Sequence, residues 1–146
     1  MKHGSKSAIF FDKQIMENIK ISGLDQFIHE NLMWERALNF YKQENNFLKT
    51  RLSQVVDNNT DRDFVAMAEQ FHNRFLFTDE YIKELCQDIR LQIELIKKII
   101  PGEQLQENVM NRQQKLRNEM EKFEKDISEL KNEFNKILVS YILSVN

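Results

Sequence analysis

The chain has 146 residues, of which 41% are apolar and 30% are charged, and its formal net charge is −2. This composition excludes a disordered chain and gives no strongly basic surface, so we expect no nucleic-acid partner. Three glycines and one proline are too few for a protein rich in turns and favour long helices.

The first predicted element is a short amphipathic helix near the N-terminus. Apolar residues recur at helical spacing over residues 8–21, and Ser22 and Gly23 are expected to end the helix. The N-terminal segment of residues 1–23 is the only cationic part of the chain. We interpret it as a tail and short helix attached to a single domain of residues 24–146.

The first long helix is predicted from Leu24 to Val56. Its core-facing residues follow one another in steps of three and four, which is the spacing of one helical stripe. They are Leu24, Phe27, Asn31, Trp34, Leu38, Tyr41, Asn45, Leu48, Leu52 and Val55. The amides Asn31 and Asn45 within the stripe indicate buried polar groups that fix the register of the helices.

The second long helix is predicted from Asp61 to Ile99, with a capping box over residues 60–63. The segment that begins at Thr78 could start a new helix, but the stripe keeps its phase there, so we predict one continuous helix. Gln92 is a third amide in a core position. The stripe consists of Phe64, Ala68, Phe71, Phe75, Thr78, Ile82, Leu85, Ile89, Gln92, Ile96 and Ile99.

The third long helix is predicted from Glu103 to Val145, after the helix-breaking pair Pro101 and Gly102. Apolar residues recur every seven positions in two rows, as in a coiled coil, and rows of this length need partner helices. One row is Val109, Leu116, Phe123, Leu130 and Ile137, and the other is Met120, Ile127, Phe134 and Tyr141.

These elements predict an all-α fold. Short connections make consecutive helices antiparallel, so the sequence predicts an elongated antiparallel up-down-up bundle of three long helices plus the short N-terminal helix. The single cysteine, Cys86, excludes an internal disulfide and is typical of a reducing compartment. No apolar run approaches the ~18 residues of a membrane span, and no signal peptide is recognisable. We therefore expect a cytoplasmic protein without an integral membrane segment.

The start of the second helix and the end of the third carry more apolar residues than one stripe requires. Such a surplus is typical of an interface, so we predict that residues 64–77 and 137–145 bind a protein partner, most simply a second copy in a homodimer. The predicted interface residues are Phe64, Met67, Phe71, Phe75, Phe77, Ile137, Leu138, Tyr141, Ile142 and Leu143. The alternatives are that the N-terminal segment runs extended to this end and covers it, or that the helices bend and close on themselves.

Candidate chemistry is sparse, so we predict a non-enzymatic scaffold, adaptor or regulator without a cofactor. The alternative is a metal-handling bundle, because Glu69 and His72 match the Glu-x-x-His pattern of di-metal sites. A second such pair is absent from the sequence, which favours ordinary surface residues. Cys86 has acidic neighbours that disfavour a reactive thiolate. Phe10 and Phe11 beside lysines could anchor a helix at a membrane surface, although packing against the bundle is the simpler interpretation.

One further observation is a resemblance. The segments 29–42, 51–52, 59–60 and 71–75, which include His29-Glu30-Asn31-Leu32-Met33-Trp34-Glu35 and Phe71-His72-Asn73-Arg74-Phe75, resemble a loose group of uncharacterised bacterial helical proteins. The resemblance implies a bacterial, intracellular, all-helical protein. It implies no catalytic or binding residue, because the group has no assigned activity.

Overall fold

The structure is a computed structural model. It describes the backbone of residues 2–59, 61–99 and 105–145, and the side chains of residues 23–59, 61–99 and 107–143. We predicted the connection between the second and third long helices from Pro101 and Gly102. Both residues lie outside the described residues.

Three α-helices account for almost all of this backbone. They are α1 (Lys2–Asp57), α2 (Arg62–Lys97) and α3 (Leu105–Val145). No strand occurs within the described ranges. The predicted all-helical fold with three long helices is therefore confirmed.

The predicted break at Ser22 and Gly23 is wrong, because α1 is helical on both sides of this pair and continues to Asp57. Gly23 does not adopt the left-handed conformation, and a Cβ atom added to it would have no neighbour within 4 Å. One glycine in a helix interior costs roughly 0.5–1 kcal/mol relative to alanine, which is too little to stop a helix whose flanking residues continue it.

The predicted continuity of α2 is confirmed. The helix passes through Thr78 without interruption, and the Thr78 hydroxyl donates to the backbone oxygen of Arg74 at 2.9 Å instead of capping a new helix. The N-cap is Asp61, whose carboxylate accepts a hydrogen bond from the Asp63 backbone N–H at 3.3 Å. Thr60, the first residue of the predicted capping box, lies outside the described residues.

Most residues of the buried core belong to the predicted stripes, while Ile93 and Leu138 are buried without belonging to one. Two apolar clusters lie along the bundle, and all three helices contribute to each. One is Leu38, Ile82, Leu85, Ile89, Ile93, Leu116, Met120 and Phe123. The other is Leu48, Leu52, Ala68, Phe71, Phe75, Leu130, Phe134 and Leu138. Their burial follows from the heptad spacing, which directs every third or fourth side chain towards the neighbouring helices.

Candidate functional site

The ten residues of the predicted interface do not form one surface. Phe64, Phe71, Phe75 and Leu138 are buried inside the chain's own core. Met67, Ile137 and Tyr141 are half-buried, while Phe77, Ile142 and Leu143 are exposed. The exposed three are thus the only members of this set whose side chains are largely available to a partner.

Aromatic contacts explain why the crowded ends of α2 and α3 are covered. The rings of Phe64 and Tyr141 stack with their centroids 4.0 Å apart, and the Phe75 ring meets Phe134 edge-on at 5.1 Å. Packed aromatic pairs of this geometry each contribute about 0.5–1.5 kcal/mol beyond the area that they bury. The surplus of apolar residues therefore serves largely to hold α2 against α3.

The three exposed members are separated along the bundle. Phe77 lines a groove between α2 and α3 together with Tyr81 and Ile127. Ile142 and Leu143 instead follow Tyr141, which packs on Phe64. Phe77 is thirteen positions after Phe64, a distance of about 20 Å along α2. The structure therefore does not bring these exposed residues together.

A different apolar surface lies on α1, and the sequence analysis missed it. Met33, Phe40 and Phe47 are 51%, 61% and 62% exposed and are spaced by seven residues. We call them the outer row, because they lie beside the buried stripe of the same helix. The spacing could have revealed this row, but each member directly precedes a residue of the predicted stripe, and only the stripe was followed along this helix.

Three amides, one from each helix, meet in the core. We call Asn31, Gln92 and Gln113 the amide layer; all three are fully buried. Gln113 Oε1 accepts from Asn31 Nδ2 at 2.9 Å and from Gln92 Nε2 at 3.2 Å. The oxygens Asn31 Oδ1 and Gln92 Oε1 accept no hydrogen bond from the described residues. The layer therefore links all three helices but leaves part of its hydrogen-bonding capacity unused.

A charged pair borders the amide layer. Glu30 accepts from Gln113 Nε2 at 2.7 Å and from the Arg117 guanidinium at 2.7 and 3.1 Å. Partial burial acts to raise the pKa of Glu30, but the hydrogen bonds from Arg117 and Gln113 outweigh it and hold the pKa below its ordinary value. The ionised carboxylate is thus the form that joins α1 to α3.

A second polar contact lies further along α1. Asn45 is buried and donates to the backbone oxygen of Phe75 at 2.9 Å and to Asp79 Oδ1 at 2.7 Å. Lys49 contacts the other oxygen of the same carboxylate. Because an amide in the core loses these partners when a helix shifts along its neighbour, Asn45 supports the predicted role of the stripe amides in setting register.

Sequence reasoning found Asn31, Asn45 and Gln92 but missed Gln113. The signal was present, since Gln113 lies seven residues before Met120 and so continues the second row of α3 by one heptad. The row was taken to begin at Met120 because only apolar residues were followed along this helix. Hydrogen bonding to Asn31 and Gln92 explains how the core accommodates a polar side chain at this position.

The residues of the alternative metal site, Glu69 and His72, are exposed and line a shallow groove between α1 and α2. Lys49, a cation, lines the same groove. No group of three or more His, Cys, Asp and Glu side chains in the described part of the chain is arranged to hold a metal ion. The structure therefore provides two adjacent donors here and no described third one.

Cys86 is a half-buried free thiol on α2. Burial raises its pKa above the ordinary value, and the nearby Arg90 guanidinium, which acts in the opposite direction, does not compensate. Because the thiolate is the reactive form, this environment disfavours a nucleophilic role. The side chains of Phe10 and Phe11, the candidate membrane anchor, lie outside the described residues.

Comparison with known proteins gives no relatives: no protein-family model, curated protein or solved structure matches the chain. Within the described residues, none of the helices has the combination of length and apolarity that crossing a membrane requires.

Proposed function

We propose that this protein is a non-enzymatic helical-bundle interaction module of the cytoplasm, acting as a scaffold, adaptor or regulator, and that it associates with itself. The observation that carries the proposal is the set of large apolar side chains that remain exposed after the core is complete. On α1 these form the outer row, and on α2 and α3 they include Phe77, Ile142 and Leu143. A row of large apolar side chains along one exposed helix face, such as the outer row, is a feature of surfaces that dock another helix.

The proposed architecture is an elongated antiparallel up-down-up bundle. Its support is the order of the contacts between helices. Glu35 contacts Arg90, whereas Lys49, further along α1, contacts Asp79, which is earlier in α2. The same reversal relates α2 to α3, because Phe64 packs on Tyr141 while Gln92 bonds to Gln113.

The proposed mechanism of association is the docking of apolar side chains between helices. Large side chains at heptad spacing insert between residues of the facing helix, and flanking charges select the partner and its direction. The amide layer and Asn45 hold the bundle in a single register, so the exposed side chains are presented at fixed positions. Rigid presentation lowers the entropy lost on binding.

Light scattering coupled to size-exclusion chromatography tests the proposal on the full chain. The expected result is a mass that rises from one chain towards two as the protein concentration increases. A mass of one chain at every concentration would contradict self-association. Metal analysis of the same samples tests the alternative: stoichiometric zinc, iron or manganese that is lost in the His72→Ala variant would favour a metal-handling bundle instead.

A further inference from the structure

The residues on the exposed face of α1 follow a regular pattern. At 100° per residue, nine residues from position 26 to position 54 point within about 40° of the direction of Phe40, and the three large apolar ones among them recur every seven residues. In chain order they are Gln26, His29, Met33, Arg36, Phe40, Glu44, Phe47, Arg51 and Gln54. All except Glu44, which is half-buried, are exposed.

Three of the four residue pairs that are symmetric about Phe40 on this face are complementary. Positions at equal distances before and after Phe40 pair Arg36 with Glu44, Met33 with Phe47 and Gln26 with Gln54. An isologous interface needs a patch that is complementary to itself in this way, because a two-fold axis places each residue opposite its counterpart.

His29 and Arg51 also lie on this face and are the same distance from Phe40. Neither residue is acidic, so this pair does not provide opposite charges across a two-fold axis. Their positions are near the two ends of the face, away from the two-fold axis.

We propose that two copies of this chain pair through the outer row of α1, antiparallel and with the two-fold axis at Phe40. This inference rests on the self-association proposed above and assigns it to α1 in place of the ends of α2 and α3. Phe40 meets Phe40 of the second copy, and Met33 meets Phe47 at both ends. The seam from Gln26 to Gln54 is about 42 Å long.

Charge complementarity fixes the direction. In the antiparallel pair each Arg36 lies at the level of Glu44 of the second copy, whereas a parallel pair would place Arg36 opposite Arg36. Arg36 forms no ion pair with the residues whose side chains are described. Glu44 contacts Lys131 and keeps 20% of its side chain exposed, and this exposed part is where a second cation would approach.

The exposed area implies a weak dimer. Three large side chains that are a little more than half exposed present on the order of 350 Å² per copy. A standard stable interface buries about 800 Å² on each partner. The pairing is therefore expected to be reversible and to depend on protein concentration.

Site-directed crosslinking tests the pairing without altering the outer row. In a Cys86→Ser background of the full chain, one variant carries Gln26→Cys and another carries Gln54→Cys, and a short bis-maleimide is added. The antiparallel pair predicts no crosslink in either variant alone, because each cysteine lies about 42 Å from its copy. An equimolar mixture is expected to give a 26–54 crosslink, identified by mass spectrometry and lost when both variants also carry Phe40→Asp.

The other outcomes overturn the inference in distinguishable ways. Crosslinking within each single variant would show a parallel pair. Dimers in light scattering that give no crosslink in the mixture would place the contact elsewhere and leave the proposed function standing. A single-chain mass under all conditions would overturn both the pairing and self-association.

A charge exchange gives independent evidence. Arg36→Glu places a new carboxylate opposite Glu44 of the other copy on both sides of the two-fold axis. This repulsion is expected to weaken dimerisation several-fold. Adding Glu44→Arg restores opposite charges and is expected to recover most of the lost affinity. If the double variant is weaker than the single one, Arg36 and Glu44 do not face each other across the interface.

Discussion

Asn31 Nδ2 donates a hydrogen bond to Oε1 of Gln113 at 2.9 Å and so joins two buried residues that are 82 positions apart in the chain. Gln92 Nε2 donates to the same oxygen at 3.2 Å. A single acceptor therefore binds an amide from each of the other two helices. A shift of any helix along its axis would separate these groups, and buried donors without partners are costly.

The first prediction concerns the amide layer. Gln113→Leu removes the acceptor shared by Asn31 and Gln92, so the free energy of unfolding should fall by about 1–3 kcal/mol. Replacing Asn31, Gln92 and Gln113 together by leucine should be much less costly, or even stabilising, since no buried amide is then left behind. Urea unfolding followed by circular dichroism measures both. A triple variant that loses about three times as much as the single variant would show that the three amides act independently.

The second prediction compares two phenylalanines of α2. Phe75 is 0% exposed and Phe77 is 75% exposed. Phe75→Ala should lower the free energy of unfolding by about 3–5 kcal/mol, because it leaves a cavity against Phe134. Phe77→Ala should change it by no more than about 0.5 kcal/mol. The two substitutions remove the same atoms, so equal losses in urea unfolding would contradict the orientation of α2.

The third prediction concerns the continuity of α1 at Gly23. Because an added Cβ meets nothing within 4 Å and the backbone is helical, Gly23→Ala should stabilise the protein by about 0.5–1 kcal/mol. The thermal midpoint and the helical signal in circular dichroism should both rise. Gly23→Pro is the opposite control and should lower the helical signal. A loss of stability with alanine would indicate the helix end that the sequence suggested.

The fourth prediction is a pH dependence at Glu30. Its lowered pKa in the folded state means that the carboxylate stabilises the fold above its ordinary pKa of 4.5. This contribution is lost as the pH falls through the lowered value. Glu30→Gln should therefore cost less than about 1 kcal/mol at neutral pH, and the difference from wild type should shrink in acid. Denaturant unfolding at several pH values checks this, and a difference that grows in acid would contradict it.

Much of the fold could be predicted because the heptad spacing fixes which side chains face the core. Leu38, Phe75 and Phe123 are buried as their positions in the stripes require. The predicted helix end at Gly23 was wrong because a glycine within a helix lowers its stability only modestly. Phe64 and Leu138 were assigned to an interface for a different reason: a surplus of apolar residues does not reveal whether the chain covers them itself or leaves them for a partner.

The outer row was harder to find because the exposure of its side chains depends on how α2 and α3 pack against the predicted stripe of α1. Met33 and Phe40 adjoin core positions in the sequence, and only the packing of α1 against α2 and α3 shows which neighbour is exposed. The same holds for Gln113, whose polar side chain concealed its core position. In both cases the heptad spacing carried a signal, but the exposure of a given side chain also depends on the positions of the neighbouring helices, which a single sequence does not contain.

The central claim is that the residues of the stripes stabilise the fold, while the outer row of α1 binds a second copy. Sedimentation equilibrium on two matched variants tests it. Phe40→Asp and Phe77→Asp each place a charge on a well-exposed aromatic position, of α1 and α2 respectively. Phe40→Asp should abolish the dimer while the helical signal is retained, and Phe77→Asp should dimerise like wild type. A dimer that survives Phe40→Asp but is lost with Phe77→Asp would contradict the claim.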